Sequence, residues 1–141
     1  VTLAFLGRLI PKQLDELCKA VDQLTDIHTF DVSLNQVGYW SKPKALWLGC
    51  NDIHNEHLKL VKSLSQIGNS IGLQLPKQDY IAHLTLARKC SVSPPAALIE
   101  PTLTWRNAEF HLFESMSGKK GVSYHIRHSW LLAKMFAFKS T

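Results

Sequence analysis

Residues 83 to 88 read HLTLAR, and the chain opens with VTLAFLG. The two stretches share a T-L-A core, with Thr2 and Thr85 standing 83 positions apart. On a strand the side chains alternate faces, so His83 and Thr85 point one way while Leu84 and Leu86 point into a core. A proton-transfer group then lies beside a hydrogen-bond donor. Two such strands laid side by side would surround one phosphate with imidazoles and hydroxyls. One imidazole takes a proton from water, the other gives one to the leaving oxygen, and the hydroxyls steady the non-bridging oxygens. A lone H-x-T is a weak signal, equally the mark of a surface histidine next to a β-favouring threonine. The second T-L-A strand is what raises it. In that strand the place for the histidine falls immediately before Val1.

Other chemistry-bearing groups are weaker. His54 and His57 in HNEH stand one helical turn apart, but no third ligand is evident and H-E-x-x-H is absent, so a solvated helix face is expected. His125 and His128 differ in strand parity and read as surface residues of a hairpin. Lys119 and Lys120 in SGKKG form a basic hairpin tip, either an RNA-backbone contact or a soluble turn. No G-x-x-x-x-G-K-[ST] loop is present, which excludes the usual triphosphate cradle.

The elements that must position these groups alternate along the chain. VTLAFL, ended by Gly7, reads as a strand. PKQLDELCKAVDQL has Pro11 in a first turn and Leu14, Leu17, Cys18, Val21 and Leu24 on one helical face. HTFDVSLNQV alternates, with Phe30, Val32 and Leu34 on the inner side, and ALWLG follows through the GYWSKPK turn. A second helix is expected over 52–70, with Leu60, Val61, Leu64 and Ile67 inward. YIAHLTLAR is the next strand, and the Ser/Pro-rich run over 89–101 a loop. WRNAEFHLFES and VSYHIRHSWLLA flank MSGKKG as a closing hairpin. The order β-α-β-β-α-β-β-β predicts an α+β fold with largely antiparallel sheets.

Composition agrees with one globular domain over residues 1–141: 45% apolar and 19% charged residues argue against disorder. The sequence has no apolar run of about 18 residues, so no membrane partner is expected. The net charge of +5 suits contact with phosphates, and equally a basic protein with no nucleic-acid partner. Cys18, Cys50 and Cys90 share no metal-like spacing and point to free thiols in a reducing compartment, here the cytoplasm.

With these residues in view, the chain resembles the two-histidine (2H) phosphoesterase superfamily, and within it the RNA 2′,3′-cyclic phosphodiesterases also called 2′-5′ RNA ligases. Their pattern is two H-x-T-L strands, the first continuing as H-[LVI]-T-L-x-F-L-G. VTLAFLG and HLTLAR carry it here. VGYWSKPKALWLG resembles the segment linking two central strands, and FHLFES with YHIRHSWLL resembles the closing hairpin. The resemblance implies a bilobal fold of two mainly antiparallel sheets, helices outside, with pseudo-two-fold related H-x-T strands facing a central cleft. It also implies a metal-independent, cofactor-free enzyme, a monomer acting on RNA or nucleotides with 2′,3′-cyclic phosphates.

Carried across, the resemblance makes His83 the second catalytic histidine, with Thr85 and Thr2 as the phosphate-binding threonines. Arg88 matches a basic position that contacts phosphate or ribose, although a solvated strand-end charge reads the same way. Phe5 matches an aromatic beside the nucleotide, whereas simple alternation places it in the core with Val1 and Leu3. Where the family often has an arginine five residues before the second histidine and a proline just before it, this chain has Gln78 and Ala82. The first histidine, and the strand and helix before it, have no counterpart in these residues. The expectation is an N-terminally incomplete family member of little activity whose complete form is an enzyme. The alternative is a non-catalytic RNA- or nucleotide-binding module on the same scaffold.

Overall fold

The computed structural model describes residues 1–92 and 98–134. Helix α1 (Pro11–Asp22) begins on a proline, which has no amide hydrogen to leave unpaired, and Gln13 reaches back to accept the Ile10 N–H at 3.1 Å. Strands β1 (Phe30–Trp40) and β2 (Ala45–Gly49) form a hairpin, followed by α2 (Asn55–Ser70) and β3 (His83–Ala87). Strands β4 (Leu98–Asn107), β5 (Glu109–Gly118) and β6 (Gly121–Leu131) complete the chain. The first sheet has the order β3-β2-β1-β4 with every pair antiparallel; β5 and β6 pair antiparallel in a second. The α+β class and the two antiparallel sheets are as the sequence implies.

One apolar core joins these parts. Leu17 and Val21 from α1 and Leu60 from α2 meet Phe30, Val32 and Leu34 of β1 and Leu48 of β2. Phe110 of β5 and Leu132 extend it under the hairpin, with Trp130 stacked on Phe110 at 5.3 Å. The indole N–H of Trp130 donates to Asp22 at 2.7 Å, which pins the hairpin to α1. Backbone bonds from Thr29 to Ala133 and from Ala133 to Ile27 close its foot against the start of β1.

Four expectations change. Residues 1–6 join no strand: Leu3, Leu6 and Leu9 pack on the core every third residue, while Val1 is exposed and Phe5 is 76% exposed. That spacing of three is incompatible with strand alternation and takes Phe5 out of the core. Second, residues 98–101 lie in β4 rather than in a loop, and the expected strand over 105–115 divides at Ala108 between two sheets. Residues 93–97 of that expected loop, and the tail after Lys134, lie outside the described residues. Third, Leu84 and Leu86 do not reach the core, being 42% and 52% exposed, because β3 is the edge strand of its sheet. Fourth, His57 is not on a solvated face.

His57 is 2% exposed and stacks on Phe30 at 4.8 Å, while its neighbour His54 caps α2 by accepting the Glu56 N–H at 3.1 Å. Burial first, with His54 adding to it, lowers the His57 pKa to about 4. An unfolded histidine titrates near pH 6.5, so between these values the unfolded chain binds the proton more tightly. Stability from this group is therefore full above about pH 6.5 and falls with pH until about pH 4, a loss of about 3 kcal/mol. Urea unfolding should show that slope in the wild type. The slope should flatten in His57→Phe, which keeps the stack but cannot take a proton.

Candidate functional site

The site face of the first sheet follows from strand register. Cross-strand partners are Val37 with Leu48, Gly38 with Trp47, Trp40 with Ala45, Trp47 with Thr85 and Gly49 with His83. Val37 and Leu48 pack with the core, so Trp47, Thr85 and His83 occupy the opposite face. In β1 the core-facing residues are the even-numbered Phe30, Val32 and Leu34, and then the odd-numbered Val37. The change coincides with a register break against β4 between Leu34 and Gln36. It places Gly38 and Trp40 on the site side. The Trp47 indole lies flat over Gly38 and Gly49, where a Cβ on either would collide with the ring.

His83 stands on this aromatic floor. Its ring meets Trp40 edge-on at 4.6 Å and 78°, and Trp47 at 6.2 Å, with the two indoles 4.9 Å apart. Its Nδ1 lies 2.8 Å from the Ile81 carbonyl oxygen. A carbonyl only accepts, so Nδ1 carries the hydrogen and Nε2 is left free of that bond. Thr85, two residues on, is half-buried on the same face. The pairing of imidazole and hydroxyl expected from H-x-T is thus present, although the leucines between are not core residues.

The other expected residues are more dispersed. Thr2 is exposed, and its carbonyl accepts the Tyr80 hydroxyl at 3.1 Å, which ties the opening segment to the run just before β3. Phe5 is exposed on that segment, and Arg88 is exposed immediately after β3. One surface hollow, about 700 Å³, is lined by Ser65, Asn69 and residues 73–77, and another, about 360 Å³, by Thr29, Arg106, Ala108, Leu131, Leu132 and Lys134; neither of these contains His83 or Thr85.

Among the described residues no group of three His, Cys, Asp or Glu side chains is arranged to hold a metal. His54 and His57 do not act as a ligand pair, since His54 Nδ1 is engaged by the backbone and His57 Nε2 by Tyr80 at 2.9 Å. Cys18, Cys50 and Cys90 are free, and burial raises the thiol pKa of Cys18 and Cys50, which suits unreactive packing residues. No described helix is long and apolar enough to cross a membrane.

Sequence reasoning missed Trp40, Trp47, Tyr80 and His57. Two tryptophans flanking a short turn, with Gly38 and Gly49 at cross-strand distance, were the available signal for the aromatic floor. The HNEH spacing marks His57 only as half of a ligand pair, and nothing in the sequence joins it to Tyr80, which it meets through the tertiary packing of α2.

Comparison with known proteins bears on these features. Residues 1–47 match the family described as LigT like Phosphoesterase. No curated protein matches the sequence. Among solved structures, E. coli LigT complexed with 3′-AMP superposes with a TM-score of 0.86 at 22% identity, over 93% of this chain and 75% of that one. E. coli LigT complexed with ATP gives 0.79 at 21% identity, over 93% and 74%. A Thermus thermophilus protein, TT0787, gives 0.77 at 23% identity, over 93% and 76%. A match to the LigT-like phosphoesterases over the first 47 residues and the LigT fold along nearly the whole chain are what the resemblance read from the T-L-A stretches implied.

Proposed function

We propose that this chain carries the His83 half of a two-histidine site that hydrolyses 2′,3′-cyclic phosphates on RNA or nucleotides to 2′-phosphates. The observation that carries the reading is the fixed tautomer of His83, with Nδ1 bonded to the Ile81 carbonyl and Nε2 left for chemistry on the face it shares with Thr85. Water attacks phosphorus in line, one imidazole removes its proton, and the other protonates the ribose 3′-oxygen as the ring opens. His83 is one of these two imidazoles. The resemblance assigns the other to the place immediately before Val1. Hydroxyls of Thr85 and Thr2 donate to the non-bridging oxygens, Arg88 adds positive charge, and the exposed ring of Phe5 offers a base a stacking surface.

The net charge of +5 favours an anionic substrate. The LigT structures with 3′-AMP and with ATP support a nucleotide as the ligand class. With a 5′-hydroxyl in place of water as the nucleophile, the same chemistry joins ends through a 2′-5′ bond as the P–O3′ bond breaks.

Hydrolysis of a 2′,3′-cyclic nucleotide by the full gene product in excess chelator tests the reading. Turnover to the 2′-phosphate should persist without metal and fall by about 10²–10⁴-fold in His83→Ala. Binding without turnover would instead leave a nucleotide-binding module. Trp40→Leu removes the edge contact that orients the ring, so its kcat should fall by about tenfold with little change in KM. Steady-state kinetics on the folded variant decide that.

A further inference from the structure

A polar chain runs from the buried His57 of α2 through half-buried Tyr80 to the exposed backbone of Thr2 in the opening segment. His57 Nε2 lies 2.9 Å from the Tyr80 hydroxyl, which lies 3.1 Å from the Thr2 carbonyl. The carbonyl can only accept, so the one phenolic hydrogen goes to Thr2 and His57 must donate to Tyr80 through Nε2–H. The direction of the chain is therefore fixed. Burial raises the Tyr80 pKa and lowers that of His57, so both stay neutral near pH 7 and the pattern does not change with protonation there.

What this chain holds matters because, among the described residues, the segment up to Leu9 is otherwise held by apolar packing. Residues 1–10 belong to no strand, and Leu3, Leu6 and Leu9 hold the core through contacts with no directional preference. The Tyr80 bond to Thr2 is directional. Tyr80 also stands three residues before His83, in the run whose Ile81 carbonyl orients the His83 ring. One short stretch, 80–83, thus fixes both the backbone at Thr2 and the imidazole.

We propose that Tyr80, backed by His57, is a positioning residue that sets the Thr2 segment against the His83–Thr85 face so that one phosphate is gripped from both. The inference rests on the phosphate-site reading above and adds to it two residues that touch no substrate. Without the phenolic hydroxyl, the Thr2 segment keeps its apolar contacts but loses its fixed distance from His83.

The test titrates inorganic phosphate into the protein, followed by the NMR signals of the His83 ring, alongside turnover of the cyclic nucleotide and thermal midpoints. Tyr80→Phe and His57→Leu should weaken phosphate by about three- to tenfold, the worth of one hydrogen bond, and lower kcat. His57→Gln, which retains a donor, should recover most of the affinity. Leu60→Ala, measured below its midpoint, should lose stability without losing phosphate, which separates positioning from mere support. Wild-type affinity in folded Tyr80→Phe would overturn the proposal. If the wild type binds phosphate but does not turn over, the enzyme reading fails while the order of affinities still decides the role of Tyr80. If phosphate leaves the His83 signals unmoved in the wild type, both fall.

Discussion

The register of β2 is the constraint on which the rest depends. This five-residue strand lies between β1 and β3, and its two faces serve different ends: Leu48 enters the core and Trp47 spreads over Gly38 and Gly49 beneath His83. A slip of one residue would exchange them, placing an indole in the core and a leucine under the imidazole. Gly38 makes the true register selective. A side chain there would collide with the indole, so only a pairing that sets a glycine opposite Trp47 seats the ring, while Gly49, two residues along β2, leaves the other end of the indole clear in any register. Folding energy and site geometry are thus decided by the same alignment.

The opening segment is held by a different kind of force. Apolar packing of Leu3, Leu6 and Leu9 resists detachment but tolerates sliding, whereas a hydrogen bond to the Thr2 carbonyl has a preferred distance and angle. Burying a histidine to support that bond is costly unless the ring is neutral and its donor satisfied. Here both conditions hold: the lowered pKa keeps the ring uncharged, Nε2 meets Tyr80, and stacking on Phe30 supplies packing. The same burial that makes His57 a poor acid-range residue makes it a dependable single-tautomer donor at neutral pH.

Much of this is legible in the sequence. Periodicity placed α1 and the inner face Phe30, Val32 and Leu34, since those segments meet a core on one side only. It failed at residues 1–6, where three-residue spacing of Leu3, Leu6 and Leu9 overrides the β-like composition, and at β4, whose pairing with β1 is a long-range event that no local turn signal announces. Leu84 and Leu86 obey alternation yet stay exposed, because alternation predicts which face a residue takes and not whether that face is covered. At the candidate site the H-x-T pair was visible in the sequence. The Ile81 carbonyl, the indole floor and the Tyr80 link were not, being products of register and helix packing.

An identity of 22% with a TM-score of 0.86 shows how little of the sequence such a scaffold constrains. Alternation needs only apolar residues on one face, so most positions can drift without moving the backbone. The face that carries His83 is less free. Its imidazole needs a carbonyl at Nδ1 to fix the tautomer and a rigid neighbour to fix the ring plane, and both are supplied by backbone and aromatic geometry, not by further charged groups.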